Sequence, residues 1–157
     1  MTEDENPLVG ARHLMLTTSA GELGFADAGD RPWGVAIDIG FDEEAAATVI
    51  SLADGTTSLY TTTGGGIVGG GEREDVSAAS RHLVDVAAKH VEDVLHRDDT
   101  DLPGAGNVTI WLRIGDERFG RTEPEADLMS GESPLSSLYA TGHAVITQLR
   151  LLDDARG

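Results

Sequence analysis

Six glycines, Gly64, Gly65, Gly66, Gly69, Gly70 and Gly71, fall between a threonine-rich, strand-like segment and the strongest helical pattern in the chain. A glycine-rich loop that opens a helix can present backbone N–H groups to an anion, so this spacing offers phosphate or small-anion chemistry. Two details oppose that use. The run lacks the lysine and hydroxyl that end a GxxxxGK[ST] loop, and Glu72, Glu74 and Asp75 already occupy the positions where a helix dipole attracts an anion. The alternative is geometric, a tight crossover or a place where another backbone passes closely.

Other chemistry-bearing residues are scattered. His96 with Asp98, Asp99 and Asp101 could offer a hard cation its oxygens, but the glycine and glutamate of an EF-hand are missing at the required offsets. The stretch reads as a solvated acidic linker, and no metal or cofactor is expected. His82 and His90 flank the polar side of one helical pattern and His143 that of another. Ser136 and Ser137 stand near His143, at a helix start where hydroxyls ordinarily cap. There is no HExxH pair and no GxSxG elbow. A serine–histidine–acid set would have to assemble in space, where sequence does not reveal it. Asp38 sits mid-strand on the side away from Val35, Ile37 and Ile39, which places it on an exposed sheet face.

Trp111, Arg113 and Arg118 form the sharpest constellation. A turn at Gly115-Asp116 sets Ile114 opposite Glu117, Arg113 opposite Arg118 and Trp111 opposite Gly120. The two arginines and the tryptophan then share the face away from Val108, Ile110, Leu112 and Ile114. Like charges in direct opposition destabilise a sheet, so they need acids or a partner. Tryptophan and arginine are also enriched at binding hot spots, which makes this face a candidate interaction surface; the alternative is that Trp111 covers Gly120 and the arginines pair with the chain's own carboxylates.

The elements that must carry these residues follow from periodicity. Residues 1–10 read as a disordered acidic tail before a single domain over 11–153. His13–Ser19 and Glu22–Phe25 suggest a hairpin about Ala20-Gly21. A meander over 34–63 contains an alternating strand near Val35–Phe41 and the Asp54-Gly55 hairpin signal of a type I′ turn. Residues 73–96 repeat apolar positions at spacings of three and four, as do 134–152, where Ser133 fits an N-cap and Pro134 the first helical position. The hairpin over 107–122 separates them, and 123–132 reads as a loop. The expected fold is α+β, an antiparallel sheet of five to seven strands against two helices. This order is similar to that of roadblock-like and profilin-like domains, although no motif ties the chain to either.

Composition narrows the function classes. With 28 Asp and Glu against 11 Lys and Arg, the formal net charge is −17, which repels nucleic acid and anionic membranes and favours a basic protein surface. The absence of cysteine excludes thiol chemistry and disulfides. Neither a signal peptide nor an apolar run near the roughly 20 residues of a membrane span is legible, so a cytoplasmic setting is expected. The functional expectation is a non-catalytic protein–protein interaction module, inhibitor- or immunity-like, or a subunit that dimerises. The alternative is an anion-binding domain or small enzyme using Gly64–Gly71. Acidity that reports only a saline environment is a third account.

Overall fold

A computed structural model describes residues 7–41, 45–61, 66–68 and 74–155, with side chains over 12–41, 45–61 and 74–149. Its elements in order are α1 (Pro7–Thr17), β1 (Pro32–Gly40), β2 (Ala46–Leu52), β3 (Thr57–Thr61), β4 (Gly66–Val68) and α2 (Glu74–Ala87). A 3₁₀ segment (Ala88–Asp93) then leads to β5 (Leu95–His96), β6 (Asn107–Ile114), β7 (Glu117–Pro124), α3 (Glu125–Ser130) and α4 (Ser136–Ala155). The strands form one antiparallel sheet in the order β4-β3-β2-β1-β6-β7-β5. The α+β class is as the periodicity indicates.

The alternating strands divide the apolar residues between two faces. Val35 and Ile37 of β1, Val49 of β2 and Val108, Ile110 and Leu112 of β6 pack against Leu83 of α2 and Leu138, Val145 and Leu149 of α4. Gly142 sits where α4 crosses β1, and a β-carbon there would collide with the Ile37 side chain. On the opposite face Met15, Leu16, Ala36, Ile50 and Trp111 form a second buried cluster. Burial of apolar surface on both faces makes three layers, with α1 the one helix of the described residues on the second.

Several local expectations are corrected. Residues 13–17 are helix rather than the first strand of a hairpin, and residues 7–10, assigned to the tail, belong to the same helix. Pro7 at the helix start suits that position, where its missing N–H would have no partner. The Asp54-Gly55 hairpin exists but is not type I′. Gly55 alone takes a positive φ of 92°, while Asp54 accepts from the Thr56 N–H at 2.9 Å and Leu52 donates to Thr56. That is a three-residue loop closed by a left-handed glycine. At 115–116 the two-residue turn forms, with Gly115 at φ 57°. The helix expected over 73–96 stops at Ala87, because His90 (φ −119°, ψ 16°) breaks the helical path and Leu95–His96 is drawn to the sheet edge. Ser133 caps through its Oγ to the Leu135 N–H, one turn ahead of α4 proper, and α3 occupies part of the expected loop 123–132.

Candidate functional site

The hairpin register places Arg113 opposite Arg118 and Trp111 opposite Gly120. The face these residues share is not an exposed interaction surface. Trp111 is fully buried and Arg113 is 1 % exposed, because α1 lies across them. The last carbonyls of a helix have no partner within it. Arg113 Nη1 donates to Met15 O at 2.6 Å and Thr18 O at 3.0 Å, and Arg118 Nη1 donates to Leu16 O at 2.8 Å. Both cations therefore sit at the negative end of α1. Arg118 also donates to the carbonyls of Asp98 and Asp99, which fastens the linker to the same point. Burial lowers the Arg113 pKa below its usual value, and the neighbouring Arg118 charge acts in the same direction.

Asp38 is likewise buried rather than on an exposed face. Its carboxylate accepts from Arg12 Nη2 at 2.8 Å, Trp111 Nε1 at 2.8 Å and Thr48 Oγ1 at 2.6 Å. Arg97 lies over the Trp111 ring, 4.6 Å from its centroid, and pairs with Asp99 at 2.6 Å. That bond holds Asp99 down at a pKa of about 2. These arrangements are structural, since every charge in them is consumed within the chain.

Five of the six glycines singled out above, Gly64, Gly65, Gly69, Gly70 and Gly71, lie outside the described residues, while Gly66 opens the short edge strand β4. His96 hydrogen-bonds Glu117 at 2.8 Å and lies 3.6 Å from Asp98. No group of three or more His, Asp or Glu among the described residues is arranged to hold a metal ion.

Two surfaces retain unspent chemistry. The first is the sheet edge at β5. The ladder between β5 and β7 covers only Leu95–Gly120 and His96–Phe119, so among the described residues no strand flanks β7 beyond Gly120. By strand alternation the backbone of Thr122 faces the same side as that of Gly120. Leu95 is 75 % exposed here, at the lip of an open groove of about 640 Å³ lined by Glu92, Asp93, His96, Arg97, Arg121 and Thr122. The two arginines in the groove are neutralised internally, Arg97 by Asp99 and Arg121 by Glu123 at 2.6 Å. Glu92 of the lining and Asp98, which lies beside His96, are both exposed.

The second surface joins the 3₁₀ segment to α4. The break at His90 turns its ring so that Nδ1 meets Asp93 Oδ2 at 2.9 Å and Nε2 meets Ser137 Oγ at 3.2 Å. Sequence reasoning set Ser137 beside His143, but His143 instead stacks edge-on against Tyr139, with ring centroids 4.6 Å apart. Tyr139 donates to Glu125 at 2.5 Å; burial first, and then that contact, raise its pKa above the usual value. The Asp93–His90 spacing of three residues was the only signal of this cluster in the sequence.

The fold and its two surfaces define a three-layer α+β protein with an open, acid-rimmed sheet edge. No family model, curated protein or solved structure matches the chain. No helix among the described residues is long and apolar enough to cross a membrane.

Proposed function

We propose that this protein is a cytoplasmic interaction module that receives an extended, basic segment of another protein along the open edge of β7. The observation that carries the reading is Leu95, a large apolar side chain three-quarters exposed at the point where the ladder ends. An unpaired strand edge offers N–H and C=O groups to an incoming strand, and adjacent side chains select its sequence. Leu95 supplies the apolar contact, and the Glu92 and Asp98 carboxylates favour Lys or Arg. A second copy of the chain is the poorer occupant, because two chains each of net charge −17 repel one another.

The test is a binding screen of extended Lys/Arg-bearing peptides against the wild type and Leu95→Asp. Binding that weakens as salt rises, and falls at least about 10-fold in the variant, is expected, since 10-fold corresponds to the ~1.4 kcal/mol of a modest buried contact. Equal binding by Leu95→Asp, or a preference for acidic peptides, would overturn the assignment.

A further inference from the structure

We propose that Ser137, His90 and Asp93 form a nucleophile, base and orienter able to cleave a small ester, a site that adjoins the strand-edge groove at Asp93 but does not rest on the strand-edge reading. The inference rests on the order of contacts. Asp93 accepts from Nδ1 of His90 at 2.9 Å, which fixes the tautomer and leaves the Nε2 lone pair pointing at Ser137 Oγ, 3.2 Å away. This is the sequence of roles in a serine hydrolase: a hydroxyl whose proton has an acceptor, and an acceptor held in place by a carboxylate. Asp93 is fixed as well, since its backbone carbonyl accepts from Arg121 at 3.4 Å.

The surroundings suit the chemistry. Ser137 is exposed, so a substrate can reach Oγ, while the His90 side chain is only 15 % exposed and is held between its two partners. Ser137 lies in the first turn of α4, a helix of 20 residues, and no described residue accepts from its backbone N–H group. Such amides are donors for charge that develops on a carbonyl oxygen.

In the reaction, Ser137 Oγ bonds to the carbonyl carbon as its proton passes to His90 Nε2. The carbon–oxygen bond to the leaving alcohol breaks, and His90 returns the proton to that alcohol. Water then attacks the acyl-serine, gives its proton to His90, and the acid departs as Oγ is reprotonated. One ester and one water become one acid and one alcohol, with no other reactant. The open setting favours a small acyl group, and the net charge of −17 favours a neutral or cationic ester over an anionic one.

The experiment combines a fluorophosphonate probe with nitrophenyl acetate hydrolysis, using the wild type, Ser137→Ala and Asp93→Asn. Circular dichroism confirms folding of each; Ser137 is exposed, so its loss should leave the fold intact. The expected result is a probe adduct mapped to Ser137, with hydrolysis lowered by about 100-fold or more in both variants. Absence of an adduct on Ser137, or hydrolysis unchanged in Ser137→Ala, overturns the proposal. A hydroxyl that only completes a hydrogen-bond chain would shift the melting temperature and leave the probe unreacted.

Discussion

At Asp38 one buried carboxylate satisfies Arg12 from α1, Thr48 from β2 and Trp111 from β6, so three elements meet on two oxygen atoms. Removing one partner of a buried pair strands the others. Asp38→Ala is therefore expected to cost about 3–5 kcal/mol in urea unfolding, with loss of the Trp111 near-ultraviolet signal. Asp99 permits a test by pH. Its pKa is lowered from 3.8 to about 2, chiefly by the hydrogen bond from Arg97. A group with a lowered folded pKa contributes its stability above the unfolded value and loses it as pH falls through the folded one. The stability difference between wild type and Asp99→Asn should therefore be constant above pH 3.8 and close as pH falls towards about 2. A difference that persists below that window would show that the Arg97 contact does not depend on charge. Tyr139 has the opposite sign: its raised pKa means stability that is present below its usual value of 10.0 and lost above it.

Among the elements, α1 is the one whose placement depends on a few polar contacts. Arg113 donates to Met15 O, Thr18 O and Glu117 O, closing the helix end and the hairpin together. Arg113→Met keeps the bulk but leaves those carbonyls unpaired, and a loss of about 2–4 kcal/mol with new protease cleavage near residues 7–18 is expected. Unchanged stability and no new cleavage would mean that apolar packing alone seats the helix. The same contacts explain what was legible in the sequence. The strands of the meander and the 107–124 hairpin follow from period-two alternation and turn residues, and α4 follows from its apolar stripe. By contrast, the sequence hides α1, because His13–Ser19 is short and mixes apolar with threonine positions like a strand, while its capping cations come from Arg113 and Arg118, far along the chain. Asp38 and the Trp–Arg face were read as exposed because their own strands show only one strongly apolar face, and the cover comes from elsewhere. Ser137 and His90, 47 residues apart, meet only because the helical path breaks at His90 in the 3₁₀ segment after α2, which helical periodicity does not foretell.

For the whole molecule, charge is the dominant property. Repulsion among surface carboxylates opposes compaction and is screened within about 10 Å at moderate salt, so stability should rise as potassium chloride is added. A melting temperature that does not change with salt would show that the internal pairs, such as Arg97–Asp99 and Arg121–Glu123, already balance the field locally. The same field selects partners. With the Trp–Arg face closed by α1, the edge at Leu95 and Thr122 is where acidic side chains, an exposed apolar side chain and a strand end unflanked among the described residues coincide. Hydrogen exchange on the complex with the tightest basic peptide of the screen tests this most directly. New protection is expected at the amide of Thr122, just beyond the β5–β7 ladder, with none on the outer face of α1 around Leu14. Protection centred on α1 instead, or none at the β5–β7 edge, would contradict it.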